Sequence, residues 1–267
     1  MKYFALGLLV TFLALLAASA VPTTAGHGSF VVEESGTGTG GPNQSSTLRA
    51  SCGPEAIILS HGFFGIDPGT SVLSSHPINQ RIYQVVWRND DTADTVTVRV
   101  TCFHTTATAS VVFQNFPGTA HEVTTGEVSC GPKAFAINGG FRGLAPTSSP
   151  RAVVDAIDYI FWRTTWRSGA TPDQVGVYAY CIQRAGTLIT EEQVTGEGDG
   201  GPNQYSKLEL TCEEEFSLVG GVGVKGLDQG TKLVAFGPLD TQSARIAWRN
   251  DTTPDEVIFS VLCIVLA

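Results

Sequence analysis

Six cysteines recur at regular intervals along the chain, and their spacing constrains the fold more than any other feature. They form three successive pairs whose members lie 50, 51 and 51 residues apart. Self-similarity at a fixed period indicates a repeat architecture, here three units of roughly 80 residues. The pairs are Cys52 and Cys102, Cys130 and Cys181, and Cys212 and Cys263.

Tryptophan, arginine and aspartate keep the same frame as the cysteines. In every unit a Trp-Arg pair precedes the second Cys by the same number of residues, and an Asp follows the pair at a fixed distance. These residues are Trp87, Arg88 and Asp94; Trp166, Arg167 and Asp173; and Trp248, Arg249 and Asp255.

Each unit has the pattern of short β-strands. Apolar and polar residues alternate before the second Cys, and this period of two is typical of a half-buried strand. In the first unit we predict strands over Phe30–Glu34, Thr47–Cys52, Ala56–Ser60, Ser71–Ser75, Ile82–Arg88 and Val96–Cys102. In the second unit Ala152–Phe161 also fits a helix, but its counterparts indicate strands, so we predict a strand there.

The predicted fold class is all-β. Strands of this length and spacing suggest a small sandwich. We expect three tandem, disulfide-stapled, sandwich-like repeats over residues 21–104, 105–184 and 185–267. The alternative is a single all-β body with pseudo-threefold symmetry.

The first 20 residues have the pattern of a secretory signal peptide. Lys2 precedes the apolar run Phe4–Ala17, and Ala18-Ser19-Ala20 forms a small-residue cleavage site. The apolar run is shorter than the roughly 18 residues that a membrane span prefers. We therefore expect a secreted protein without a membrane span in its mature form.

Secretion and an even cysteine count favour disulfide bonds. Among the possible connectivities, the repeat selects the pairing inside each unit: Cys52–Cys102, Cys130–Cys181 and Cys212–Cys263. A zinc site is disfavoured because there is no Cys-x-x-Cys and the five histidines do not recur in the repeat frame.

Several positions resemble a known extracellular repeat. They are Cys-Gly-Pro-x-Ala, a following Gly-Gly-Phe, the segment 72–77, Trp87, Asn89 and Val98-x-Val100-x-Cys102. The pattern resembles the Cys/Gly-Gly/Trp/Cys β repeat of secreted bacterial proteins of unassigned function. The resemblance implies an extracellular β repeat and supplies no catalytic residues.

The charge balance excludes nucleic-acid binding. Against 25 Asp and Glu the chain has 16 Lys and Arg, a net charge of −9, whereas phosphate recognition needs a basic face. No Gly-x-Ser-x-Gly or His-Glu-x-x-His motif is present, and the Gly-rich stretches 37–41 and 196–201 lack a phosphate-loop ending. We expect no enzyme activity and no cofactor, and we interpret residues 196–201 as a flexible acidic loop.

Four residues are candidates for ligand binding. The repeated Trp residues are expected to lie in the core, whereas Trp162 has no counterpart and could stack on a sugar. The outward neighbours of the repeated Trp residues, Arg88, Arg167 and Arg249, could hold a glycan or pair with the repeated Asp residues.

Two further features carry weaker hypotheses. Asp90, Asp91 and Asp94 could hold Ca²⁺, although solvated turn residues are favoured because no twelve-residue calcium loop is present. The apolar C-terminus Ile264–Ala267 could be an exposed edge that docks on another copy, or a last strand packed on the core.

The sequence favours a secreted or cell-surface, non-catalytic repeat protein with a structural, adhesive or binding role. A carbohydrate-binding protein that uses surface Trp and Arg residues is the first alternative. An extracellular hydrolase with a site between repeats is the second. The partner is a glycan or a surface protein in these hypotheses.

Overall fold

The computed structural model describes residues 30–32, 36–105, 108–153, 160–183, 189–213, 217–228 and 230–266. Within these ranges the chain forms strands and turns and no helix. The strands are β1 (Phe30–Val32), β2 (Gly36–Thr39), β3 (Ser45–Ser51), β4 (Ala56–Phe64), β5 (Ser71–Pro77), β6 (Ile82–Arg88), β7 (Thr95–His104), β8 (Ala109–Pro117), β9 (Val123–Ser129), β10 (Ala134–Arg142), β11 (Ser149–Val153), β12 (Phe161–Arg167), β13 (Gln174–Gln183), β14 (Ile189–Gly200), β15 (Tyr205–Thr211), β16 (Ser217–Lys225), β17 (Lys232–Pro238), β18 (Ser243–Arg249) and β19 (Asp255–Leu266).

The all-β prediction is confirmed. The strands predicted in the first unit from period-two alternation correspond to β1 and β3–β7. Their ends differ from the observed ends by at most four residues. The segment Ala152–Phe161 is described only at its ends, in β11 and β12, and the rest lies outside the described residues. The predicted signal peptide, residues 1–20, also lies outside them, and the described part contains no helix of the length and apolarity that a bilayer span requires.

The two Gly-rich stretches are strands, so the loop predicted over residues 196–201 is wrong for most of its length. Residues 36–39 form β2 and residues 189–200 form β14. A Cβ on Gly38 would lie 3.3 Å from Leu48, and one on Gly198 would lie 2.9 Å from Leu208. The glycines are therefore there because a leucine of the following strand packs against them.

Three sheets contain all the described strands. The first sheet has the order β1-β7-β4-β17-β18-β15, with β2 also paired to β7. The second sheet has the order β3-β6-β5-β10-β13-β8, and the third has the order β14-β19-β16-β11-β12-β9. All the ladders between these strands are antiparallel.

Every sheet combines strands of two units. The junctions are the pairs β5–β10, β11–β16 and β17–β4, so that the third unit also pairs with the first. Separate tandem sandwiches are therefore not confirmed. The strand order has the cyclic pattern expected of the alternative, a single body with pseudo-threefold symmetry.

Strands of one unit belong to two sheets and face one another across buried residues. In the first unit the half formed by β7 and β4 lies across from the half formed by β3 and β6. The alternating residues that face inward are fully or almost fully buried, among them Trp87, Trp166 and Trp248. The predicted core role of these three Trp residues is confirmed.

The three predicted disulfides are confirmed, and each one joins two different sheets. Cys52 directly follows β3 of the second sheet and bonds to Cys102 in β7 of the first. The equivalent bonds are Cys130–Cys181, between the third and second sheets, and Cys212–Cys263, between the first and third. A closed loop of about 50 residues contributes roughly 4 kcal/mol in the chain-entropy model.

Candidate binding face

Trp162, the first ligand candidate, is in the core, so the prediction of a sugar-stacking residue is wrong. Its side chain is 2% exposed. The ring lies against Gly139, where a Cβ would come within 2.5 Å of it. The equivalent space in the first unit is filled by His61 and Tyr83, whose rings stack at 4.0 Å. Trp162 therefore fills, in the second unit alone, the core space that two rings share in the first.

The arginines that follow the repeated Trp residues end their strands on the outer surface. Arg88 is exposed and Arg167 and Arg249 are half-buried. Arg249 lies 5.5 Å from the ring centroid of Tyr205. These three arginines lie on three different sheets, so the structure does not bring them together into one site.

The predicted Arg-Asp pairs do not form within the described part of the chain. The repeated Asp residues are buried and each accepts a hydrogen bond from a backbone N–H. The bonds run from Asp67 to Asp94 (3.1 Å), from Ala145 to Asp173 (3.3 Å) and from Asp228 to Asp255 (3.2 Å). Their role in the structure is to hold a turn, because a buried N–H needs an acceptor.

The calcium hypothesis gains no support from the geometry. Asp90 accepts hydrogen bonds from the Thr92 N–H and hydroxyl, and partial burial together with the nearby Asp94 carboxylate raises the pKa of Asp67. Among the described residues, no group of three or more His, Cys, Asp or Glu side chains is arranged to hold a metal ion.

The C-terminal segment is an internal strand, which contradicts the exposed-edge hypothesis for Ile264–Ala267. β19 lies between β14 and β16 in the third sheet and pairs with both as far as Val265. Ile264 is fully buried. Because both of its edges are used, this strand has no free ladder to offer a second copy; Ala267 lies outside the described residues.

The outer face of the second sheet carries a row of large side chains that sequence reasoning missed. On β8, β13 and β10 the direct cross-strand partners are Phe113, Tyr178 and Gly140. On β5, β6 and β3 they are His76, Gln84 and Arg49, and the His76 backbone lies next to Gly140. In β6 the inward residues Tyr83, Val85 and Trp87 are buried, whereas Gln84 is half-exposed, which identifies this row as outward-facing.

Aromatic rings occupy one half of this row. The Phe113 ring is 58% exposed and stacks on Tyr178 with 5.3 Å between centroids. The ring centroids of Tyr178 and His76 are in turn 4.4 Å apart. Gly140 lies between Tyr178 and His76, and a Cβ there would lie 1.9 Å from the Ser75 carbonyl oxygen and 2.8 Å from the His76 Cα. The missing side chain at Gly140 thus allows the backbone of β5 to approach β10 closely.

Positive charge occupies the other half of the row. Arg49 is exposed, and its Nε donates a hydrogen bond to Gln84 at 2.8 Å. Arg142, in the next row of the same face, is also exposed. Burial, followed by the charges of Arg142 and Arg49, lowers the pKa of His76 to about 4. Within the described ranges neither arginine has an acidic partner.

In the other two sheets, the arginine at the equivalent pair of positions forms an ion pair with a glutamate. Where the second sheet has Gln84 and Arg49, the first has Arg245 and Glu209, with an ion pair at 2.7 Å. The third sheet has Arg163 and Glu127 with an ion pair at 2.6 Å. The second sheet therefore differs from both, because the positive charge of Arg49 has no acidic partner among the described residues.

The Tyr178 position also differs among the sheets. Its counterparts, each three residues before the second Cys of the unit, are Arg99 in the first sheet and Ser260 in the third. Arg99 donates a hydrogen bond to the Leu239 carbonyl at 3.0 Å and lies over Phe64. An aromatic residue at this position is therefore particular to the second sheet.

An open cleft of about 660 Å³ lies beside the aromatic row. It extends between Ile82 and Val111, which lies two residues before Phe113 on the same side of β8. The loop 78–81 forms part of its wall, and the Gln80 carbonyl accepts a hydrogen bond from the buried Tyr180 hydroxyl at 2.7 Å. The candidate binding face consists of the row from Phe113 to Arg49, the neighbouring Arg142 and this cleft.

Comparison of the units within the sequence could have suggested this face. Tyr178 breaks the equivalence with Arg99 and Ser260, and Arg49 and Gln84 stand where the other units have Glu and Arg. Those differences become meaningful only when the register joins strands of two units into one row.

Comparisons with known proteins do not assign the chain to a family. No protein-family model matches it, and no curated protein has a significant match to it. The resemblance to extracellular β repeats therefore stays a prediction.

Proposed function

We propose that the chain is a secreted, non-catalytic binding protein that holds an acidic glycan on the candidate binding face. The observation that carries the proposal is the asymmetry of the three sheets. Among the described residues, one outer face out of three combines an exposed ring stacked on a second aromatic ring with two exposed arginines that have no acidic partner there. Core packing requires none of these outward residues.

The chemistry of the face suits a sugar with negative charge. The apolar face of a sugar ring packs on aromatic side chains, here Phe113 over Tyr178. Arginine binds carboxylate or sulfate groups in a bidentate geometry. The exposed amide of Asn115 and the half-exposed amide of Gln84 supply partners for sugar hydroxyls. The positive patch on a chain of net charge −9 selects an anion locally.

The hydrolase alternative receives less support. The nearest approach to a catalytic cluster is at the junction of the first two units, where the Ser75 and Tyr83 hydroxyls lie 2.6 Å apart and His61 stacks on Tyr83. All three side chains are at most 3% exposed. A substrate therefore has no access to this cluster as it is arranged.

The test is binding of the mature chain, residues 21–267, to immobilised polygalacturonate, with neutral cellohexaose as the comparison. We expect retention of the polyuronate that weakens with added salt, because exposed charges are screened. Arg49→Ala combined with Arg142→Ala should weaken binding at least about tenfold, since a hydrogen bond to a charged group contributes about 1.5–3 kcal/mol.

The matched control is Arg163→Ala, which removes an outward-facing arginine from the third sheet, at the position that Gln84 occupies in the second. It should leave polyuronate binding unchanged. Equal losses in the control and in the double variant would show a non-specific charge effect and contradict the proposal. Failure of the wild type to bind any acidic member of a glycan array would also contradict it.

A further inference from the structure

The free edges of the three sheets differ in a way that bears on self-association. An edge strand exposes unpaired N–H and C=O groups, and charged residues commonly prevent another chain from pairing there. Among the described edge strands longer than four residues, β8 is the only one whose sequence lacks a charged residue. The others contain Arg49 (β3), Glu127 (β9), Glu191 and Glu192 (β14), and Lys207 and Glu209 (β15).

β8 is also long, apolar and open to solvent. It has 9 residues, which corresponds to about 30 Å of ladder. Val112 is 38% exposed and Phe113 is 58% exposed. Within the described part of the chain, β8 pairs with β13 alone. An apolar edge of this length is a ready template for strand addition.

We propose that a second copy of the chain pairs antiparallel along β8, with the twofold axis at Phe113. Phe113 is the midpoint of β8, so full overlap of the two strands places Phe113 opposite its own copy. Val112 then lies opposite Gln114 of the second copy, and Val111 opposite Asn115. Two six-stranded sheets would become one continuous sheet.

Charge explains why β8, rather than another described edge, can pair with its own copy. Two chains of net charge −9 repel one another, and β8 brings no charge to the contact. The same twofold pairing through β14 would place its glutamates close to those of the copy. An antiparallel twofold contact uses the same edge on both molecules and is therefore closed. It forms a dimer rather than a fibre, because the other edge of the sheet, β3, carries Arg49.

This inference is independent of the proposed function, although it has a consequence for it. A twofold axis normal to the sheet keeps both outer faces on the same side. Two candidate binding faces would then lie next to each other, which raises avidity for a long polymer. Dimer formation is measured without any glycan, so each proposal can fail alone.

The first test is disulfide trapping. The described chain has no free cysteine, so a single new one reports only on the contact. Phe113→Cys should form a covalent dimer under mild oxidation, because directly paired strand residues have the Cα separation that a disulfide needs. Asn115→Cys is the matched control: its copy lies four positions away, about 13 Å along the strand, so it should trap much more slowly.

The second test is sedimentation equilibrium of the mature wild-type chain and two double variants. Val112→Glu with Gln114→Glu gives β8 an acidic edge and should raise the dimer dissociation constant at least about tenfold. Val112→Thr with Gln114→Thr keeps an uncharged strand and should preserve the dimer. A wild type that stays monomeric at high concentration, or equal trapping at positions 113 and 115, would overturn the proposal.

Discussion

The inner and outer faces of the three sheets are built from equivalent positions, yet they diverge in different ways. On the inner faces, a larger side chain at one position is accompanied by a smaller one at the position that it contacts. Trp162 packs on Gly139 in the second unit, and the same two positions hold Tyr83 and His61 in the first. In the third they hold Ala244 and Val222. Side-chain volume is thus redistributed between partners, as close packing requires.

On the outer faces the change is not matched. The Arg-Glu pair of the first and third sheets becomes Gln84 and Arg49 in the second, so Arg49 has no acidic partner in the described part of the chain. The same face carries the aromatic residue Tyr178, and the exposed Phe113 ring stacks on it. Packing accounts for the inner differences and leaves the outer ones without a structural reason, and this contrast is why function is assigned to the outer face.

The largest expected effect comes from breaking a matched pair in the core. Trp162→Ala should lower the free energy of unfolding by about 3–5 kcal/mol, because it leaves a cavity beside Gly139. Trp162→Phe should cost less, since the indole N–H has no acceptor among the described residues. Chemical denaturation measures both.

The third unit supplies the converse of that test. Ala244→Trp should destabilise the fold by overpacking against Val222, and Val222→Gly should relieve the strain when the two are combined. If Trp162→Ala leaves stability intact and abolishes glycan binding, the core assignment of Trp162 is wrong.

A smaller effect is expected from His61, whose counterparts in the other units do not titrate. Burial lowers the pKa of His61 to about 3, whereas an unfolded His has a pKa of about 6.5. Between these values the unfolded state binds the extra proton, so the stability is fully present above about pH 6.5 and falls as the pH decreases. The loss is about 1.4 kcal/mol per pH unit.

His61→Phe keeps a ring against Tyr83 and removes this proton. Between about pH 6.5 and pH 5 the variant should lose about 2 kcal/mol less stability than the wild type. Denaturant titrations at the two pH values measure the difference. Parallel pH dependence in both proteins would mean that His61 is protonated without unfolding.

The sequence predicted those parts of the fold that repeat. Fixed spacing selected the disulfide partners, and period-two alternation placed Trp87 and its counterparts inward. It failed where one unit departs from the others. Trp162 was interpreted as a surface residue because it has no counterpart, whereas its partner, Gly139, is also unlike its counterparts. A compensating pair becomes visible only when the two strands are placed in opposite layers.

The candidate binding face was missed for a different reason. Its row joins residues of the first unit, such as His76, to residues of the second, such as Tyr178. The connection depends on the pairing of β5 with β10, and nothing local in either strand specifies that partner. The units were predicted as separate sandwiches, and that arrangement would have kept the two halves of the row apart.

The smallest expected effect on stability, with a large effect on binding, comes from making the second sheet resemble the other two. Arg49→Glu combined with Gln84→Arg recreates the Arg-Glu pair of the first and third sheets. Stability should change by no more than about 1 kcal/mol, because an exposed ion pair contributes about that much. Polyuronate binding should fall at least about tenfold, since a carboxylate replaces the arginine that faces the ligand.

The reciprocal change tests whether the charge alone is sufficient. Glu127→Arg combined with Arg163→Gln gives the third sheet the pair of the second, at positions in the same register. It should not create a binding site there, because Ser260 stands at the Tyr178 position and its ladder partner on β14 is Thr195, so neither residue supplies an aromatic ring. Binding gained on the third sheet would assign recognition to charge alone. Binding retained by the altered second sheet would assign it elsewhere on the molecule.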